Sequence, residues 1–368
     1  MGKKSLSDIL IVGGGIIGML TARELSLAGM QVTIVEQGEA GHESSWAGGG
    51  IVSPLYPWRY PAAVSALVKW GQAFYPELIA EVKETTGLDA ELIQSGLLML
   101  EDEPEQALEW AEKWSSNLQL IDKKDVYEIE PELDQACIGH KKAIWMPDIR
   151  QVRNPRLVKA MKQYLLKTGV HFLEQTEVTG FTQTANKVTG IKTNKGELNA
   201  DKVLVASGAW SANLLKNIKI NIDVAPVKGQ MILFKSDPNK IKRIVLSRDR
   251  YVIPRKDGRV LVGSTLEHTQ FEKVTTLAAK NELMEEAYRL TPCLKEADLE
   301  HHWAGLRPGS STGIPYICAV PDVEGLYLNT GHYRNGIVLG AASARLAADI
   351  ILNRENTLNS SPYVLHRG

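Results

Sequence analysis

The stretch Asp8-Ile9-Leu10-Ile11-Val12-Gly13-Gly14-Gly15-Ile16-Ile17-Gly18 runs on to Val32-Thr33-Ile34-Val35-Glu36. Ile9–Val12 is a short, wholly apolar run, the pattern of a parallel strand covered on both faces. Gly13, Gly15 and Gly18 follow at the spacing G-x-G-x-x-G. The residues after them predict a helix from Ile16 to Ala28, closed by Gly29. Val32–Val35 is a second apolar run and ends at Glu36. Each part has a physical task. Gly13 permits the tight turn, Gly15 lets the backbone approach a pyrophosphate, and Gly18 lets helix and strand pack closely. The helix N-terminus, at Ile16 and Ile17, offers N–H groups and a positive dipole end to phosphate. Glu36 stands where a carboxylate accepts hydrogen bonds from ribose hydroxyls. A glycine triplet alone is weak evidence; strand, turn, helix, strand and acid in this order specify a dinucleotide site.

The rest of the chain bounds the answer. Its 368 residues are 44% hydrophobic, enough for a large core and about two domains. Lys+Arg 42 against Asp+Glu 43 gives a formal charge of -1, so no basic surplus points to nucleic acid. Cys137, Cys293 and Cys318 lie far apart, outside any C-x-x-C pattern. They read as free thiols in a reducing compartment, without a metal site. Met1 to Ser7 is too short and polar for a cleaved signal, and no run reaches a membrane span. These features lead to the expectation of a cytoplasmic protein with no nucleic-acid partner and no integral membrane segment. A homo-oligomer is compatible with the sequence, which does not specify one.

Further along, residues 38–50 form a small-residue loop. Its Ser44, Ser45, Gly48, Gly49 and Gly50 let backbone lie against a flat or charged ligand, and the serines are expected to cap a helix. His42 reads as an exposed loop residue. Residues 51–60 are extended and proline-rich. Helices are predicted at 62–85, 103–118, 157–167, 277–290 and 336–352. Asn154 is expected as N-cap and Pro155 as first helical residue of the third. Trp70 and Phe74, in the first of these helices, read as core. Strands are predicted at 96–100, 171–173, 178–183, 187–193, 202–205, 226–234, 251–255, 259–263, 301–307, 316–320 and 326–329. Lys256-Asp257-Gly258 is a hairpin turn. Val203 to Ser211 repeats the pattern of a strand running into a glycine turn and a helix, so the nucleotide domain is interrupted and then resumed.

Four motifs now stand in order: the opening glycine turn ending in Glu36, Ala206-Ser207-Gly208-Ala209-Trp210-Ser211, Gly305-Leu306-Arg307-Pro308-Gly309, and Gly331-His332-Tyr333-Arg334-Asn335-Gly336-Ile337. Together they resemble the FAD-dependent D-amino-acid-oxidase family, nearest its glycine oxidase branch of thiamine biosynthesis, over nearly the whole chain. The resemblance implies an α/β (α+β) fold. A Rossmann-like FAD domain (residues 1–60, 150–215 and 325–360) would adjoin a substrate domain on a large, mostly antiparallel sheet (61–149 and 216–324). It implies non-covalent FAD held by Gly13, Gly15, Ile16, Ile17, Gly18, Glu36, Ser44, Ser45, Gly48, Gly49, Gly50, Val178, Gly208, Trp210 and the run His332, Tyr333, Arg334, Asn335, Gly336, Ile337 and Val338. Arg307 matches the arginine that binds the substrate carboxylate, Arg334 lies beside it, and Tyr251 and Leu266 match pocket positions. An arginine suits that role because its planar fork grips a carboxylate through two charge-assisted bonds.

The activity so implied is oxidation of glycine, sarcosine or a small D-amino acid, with oxygen as acceptor. Hydride leaves Cα as the amine lone pair forms the imine, a step that requires a neutral amine and no strong protein base. Cys318 is read as a small buried thiol and not as a covalent flavin link. Two other readings compete: a dehydrogenase of the same fold that passes electrons to a quinone, and a non-enzymatic flavin-binding subunit.

Overall fold

The computed structural model describes residues 7–100, 103–138 and 142–365. Most of the segment read as too short for a signal, residues 1–6, lies outside them. The opening unit forms as its sequence dictates. The strand Ile9–Val12 leads into the helix Ile16–Leu27 and returns as the strand Val32–Val35, paired in parallel with the first. Both strands are buried along their whole length, which their continuous apolar runs require.

These strands sit inside a six-stranded sheet whose order is Tyr316–Ala319, Leu326–Thr330, Lys202–Val205, Ile9–Val12, Val32–Val35, His171–Leu173. All neighbours are parallel except the outermost pair, Tyr316–Ala319 with Leu326–Thr330, which is antiparallel. Chain segments far apart in sequence thus complete the one sheet that carries the glycine turn, the sheet of the expected nucleotide domain. One face carries the helices Ile16–Leu27, Asn154–Lys167 and Gly336–Ile351 in a continuous core with the long helix Ala62–Thr86. This long helix and the strand Tyr316–Ala319 were both expected with the substrate half. The helix approaches so closely that a Cβ on Gly71 would lie 2.1 Å from the Val338 carbonyl oxygen. Beside it the Tyr75 hydroxyl donates to the Ile337 carbonyl at 2.7 Å.

The second large sheet has nine strands and is antiparallel but for one pair, Ile244–Ser247 with Leu97–Met99. Its backbone is the long pair Ala225–Lys235 and Asp298–Gly309. The helix Leu277–Leu290 closes one face over a separate apolar core. A mixed α/β architecture with a large, mostly antiparallel sheet therefore stands as expected.

Several local expectations shift. Asn154 is not an N-cap: Arg153 takes that position without a side-chain bond. Asn154 is instead fully buried and donates through Nδ2 to the Ser45 carbonyl at 2.8 Å, because a long-range partner outcompetes the local one. The 103–118 helix is shorter, Pro104–Trp114, and residues 178–183 extend to Thr184. The short strands Gln119–Ile121, Gly196–Asn199 and Ile244–Ser247 carry too few residues to show a period and were not foreseen. Trp70 and Phe74 do stack, with centroids 5.1 Å apart, against the first core.

Candidate cofactor and substrate site

A single cavity of about 500 Å³ runs from the carboxyl ends of the nucleotide-sheet strands to the long antiparallel pair. Strand ends in an open α/β sheet are where such a ligand crevice forms. The glycine turn builds its first wall. A Cβ on Gly13 would lie 2.5 Å from the Ala206 carbonyl oxygen, and one on Gly18 2.1 Å from the Gly13 carbonyl oxygen. Gly13 is thus required by packing of the opening unit against the resumed strand, and Gly18 by packing of the first helix on the turn within that unit. Gly18 itself does not line the cavity, whereas Gly13, Gly15, Ile16 and Ile17 do.

Glu36 is 8% exposed and lines the same wall. Its Oε2 accepts from the Gly14 N–H at 2.8 Å and its Oε1 from the Gly38 N–H at 2.9 Å. Burial pushes its carboxyl above the usual range, and these two N–H groups only partly offset that. Each oxygen still has a lone-pair direction for another donor.

The loop 38–50 folds a short helix, Ser44–Ala47, preceded by Glu43. Neither serine caps it. Ser45 Oγ instead accepts from the Ile16 N–H at 2.8 Å, capping the first helix from outside and using one of its free donors. Ser44, Ser45, Gly48, Gly49 and Gly50 all line the cavity. A Cβ on Gly50 would lie 2.0 Å from the Val152 carbonyl oxygen, so this wall stays thin by steric necessity. His42 is exposed and faces Glu39, as expected of a loop histidine.

Val178, Gly208 and Trp210 complete the nucleotide side. Gly208 has φ 54, and a Cβ there would meet nothing within 4 Å, so bare backbone faces the cavity. His332, Tyr333, Arg334, Asn335, Gly336 and Ile337 line it at the start of the helix Gly336–Ile351, while Val338 points into the core. His332 is 1% exposed and its Nε2 lies 3.0 Å from Ser343 Oγ; burial pulls its pKa down to about 3, so the ring is neutral.

Arg307 stands on the strand Asp298–Gly309 opposite Val227. Its Nη1 donates to the Lys228 and Thr265 carbonyls, both at 3.3 Å, and its Nη2 to Ser264 Oγ at 2.7 Å. Three of five N–H donors are so used, leaving Nε–H and one on Nη2, with the Tyr251 hydroxyl as the guanidinium's nearest further polar neighbour. No carboxylate among the described residues pairs with it. Burial lowers its pKa, and Tyr251 partly restores it. The guanidinium lies directly over Gly229: a Cβ there would come within 2.1 Å of Nη2 in its present position, so one of the two would have to shift.

Tyr251 is 7% exposed on the interior strand Arg250–Pro254, not on an edge, and its hydroxyl has Met231 Sδ at 3.8 Å. Sulfur is a weak acceptor, so this hydroxyl is available to a better one. Tyr251, Arg307 and Arg334 all line the cavity, and among the described residues no hydrogen bond or ion pair engages the Arg334 side chain. Leu266, expected in the pocket, is 44% exposed and outside the lining.

The sequence reading missed Gly229, Met231 and Ser264 in the lining. Gly229 had a signal, since a glycine inside a strand marks a close approach. Cys318 is buried among apolar side chains away from the cavity, and burial raises its thiol to about 11. Among the described residues no group of three or more His, Cys, Asp or Glu is placed to hold a metal ion, and no helix is long and apolar enough to cross a membrane.

Comparison with known proteins agrees with this geometry. The family described as FAD dependent oxidoreductase (DAO) matches residues 8–350. The chain is 49% identical to a glycine oxidase of Pseudomonas aeruginosa, over 96% of this chain and 97% of that one. It is 32% identical to a bifunctional protein ThiO/ThiG of Synechocystis sp., over 96% of this chain and 52% of that longer protein. The crystal structure of glycine oxidase from Geobacillus kaustophilus superposes with a TM-score of 0.93 at 28% identity, covering 99% of this chain and 100% of that one.

Proposed function

Because the chain belongs to the FAD dependent oxidoreductase (DAO) family, we propose that it oxidises glycine, or a comparably small amino acid such as sarcosine or a small D-amino acid, with oxygen as electron acceptor. Glycine, water and oxygen then give glyoxylate, ammonia and hydrogen peroxide. The observation that carries this reading is Arg307, a half-buried cation with no carboxylate partner among the described residues, which lines the same cavity as Glu36 and the glycine turn.

The walls suit FAD: bare glycine backbone, a buried acceptor at Glu36 and the N-termini of two helices line one cavity. Gly13, Gly15, Ile16 and Ile17 would face its pyrophosphate and Glu36 its ribose, with the 44–50 loop, Val178, Gly208, Trp210 and residues 332–337 along the remainder. Bound FAD supplies the two-electron acceptor. Arg307 grips the substrate carboxylate through Nε and Nη2, and this fixes the position of Cα. Arg334 adds positive charge beside it. The Tyr251 hydroxyl exchanges a weak sulfur contact for a substrate oxygen. His332, held neutral, adds no competing charge. The amine must be neutral to donate its lone pair, so activity rises with pH as the substrate loses its ammonium proton.

We keep the two-domain division, with Tyr316–Ala319 and the helix Ala62–Thr86 counted with the FAD half because they share its sheet and core. The relative named ThiO/ThiG supports a role in thiamine biosynthesis, in which the imine, captured before water hydrolyses it, feeds formation of the thiazole ring.

The test is direct. The purified protein is incubated with glycine and with ethylamine while peroxide is measured. Peroxide from glycine and none from ethylamine is expected. Equal rates would remove the carboxylate site from the reading. Turnover only with an added electron carrier, without peroxide, would make the protein a dehydrogenase.

A further inference from the structure

Behind Arg307 lies a dense group of buried polar side chains. Gln230 is 0% exposed, Thr265 5% and Lys228 6%, a grouping that is costly unless each polar atom is satisfied. The Thr265 hydroxyl accepts from the Gln230 backbone N–H at 2.9 Å and donates to Glu267 Oε1 at 2.6 Å. Gln230 Nε2 donates to the same Oε1 at 2.8 Å, and its Oε1 accepts from the Thr276 N–H at 2.8 Å. Lys228 Nζ lies 2.9 Å from Glu267 Oε2 and donates to the Val274 carbonyl at 3.2 Å. Burial pushes the Glu267 carboxyl up, but bonds from Lys228, Thr265 and Gln230 outweigh this and leave it below the usual range, so it is ionised.

The network reaches the cavity through two backbone carbonyls. Lys228 and Thr265 are the two residues whose backbone carbonyls hold Arg307 Nη1. Thr265 is fixed from two directions, by Gln230 on the long strand and by Glu267 two residues on. Resting on the function proposed above, we infer that Glu267, acting through Thr265, is a positioning residue that sets the orientation of Arg307 and hence the affinity for the substrate carboxylate. Ser264 Oγ holds Nη2 independently, so the guanidinium stays in the site when the network is cut but loses its fixed angle. A bidentate pair tolerates little rotation of its planar fork.

Three variants test this: Thr265→Val, Glu267→Ala and the conservative Glu267→Gln, each compared with the parent as holoprotein. Acetate, a carboxylate without an amine, is titrated while the flavin absorption is followed, and glycine kinetics are measured in parallel. Thr265→Val and Glu267→Ala should raise the acetate Kd and the glycine KM together by about tenfold or more, with kcat within about threefold and FAD content unchanged. Glu267→Gln, which keeps an acceptor for Thr265, should stay within about threefold of the parent. Acetate affinity within about twofold of the parent in both disruptive variants would overturn the inference, as would weakening only in step with FAD loss. A parent holoprotein that neither oxidises glycine nor binds acetate would instead overturn the function, and the inference with it.

Discussion

Replacing Arg307 by alanine removes both spare donors, and replacing it by lysine leaves a single mobile charge. Each charge-assisted bond is worth about 1.5–3 kcal/mol. Losing both should cost about 3–5 kcal/mol, or roughly 100- to 5,000-fold in kcat/KM. Lysine should recover only part, and steady-state kinetics with flavin content as control will show it. Loss of FAD together with activity would mean that Arg307 holds the cofactor. Gly229→Ala gives an independent check, because its Cβ would displace Nη2 of an unaltered Arg307. Its glycine KM should rise about tenfold or more while FAD stays bound, and an unchanged KM would show that the guanidinium has room to move. Arg307 was legible in the sequence because it stands within a motif of fixed spacing. Gly229 was not singled out, since a strand glycine has several causes and only the opposed strand shows which applies. Leu266, matched only by its position in the family and by no motif, was misplaced for a related reason: such a match locates a residue along the chain but not whether its side chain enters the cavity.

At the scale of elements, the opening strand–turn–helix–strand unit was readable almost to the residue. Its determinants are local: apolar runs, glycine spacing and a stop at Gly29. The contacts that join it to other elements were not. Ser45 closes the first helix from a loop 29 residues away in sequence, and Asn154 abandons its own helix to hold that loop. Glu36 is the element's chemical end point and gives it a pH dependence. Burial raises its pKa in the protein without FAD, whereas ribose hydroxyls favour the ionised carboxylate. The FAD Kd should therefore be level above that raised pKa and increase as pH falls through it, starting at a higher pH than an ordinary carboxylate would give. Glu36→Gln should weaken FAD binding by about ten- to a hundredfold, the value of one charge-assisted bond, and abolish this pH dependence. Fluorescence titration with FAD across acid and neutral pH measures both. A variant with the same pH profile as the parent would assign the dependence to another group.

Across the whole molecule, the longer strands were readable in the sequence, but their partners were not. Ile244–Ser247 pairs in parallel with Leu97–Met99 across a long stretch of chain, and no local pattern encodes that choice. The same holds for the nucleotide sheet, where Lys202–Val205 lies between Ile9–Val12 and Leu326–Thr330. This interleaving has a consequence for how the protein is made. A nascent chain displays its glycine turn early, yet the strand beside it keeps an open edge until residues 326–330 have left the ribosome. Such distant pairing is slow and leaves unpaired edges exposed while it waits. A polypeptide released before Leu326 should carry every residue of the opening fingerprint and still capture no FAD, which gel filtration of the released fragment with added flavin would reveal. Yellow colour would then report that translation had reached its end.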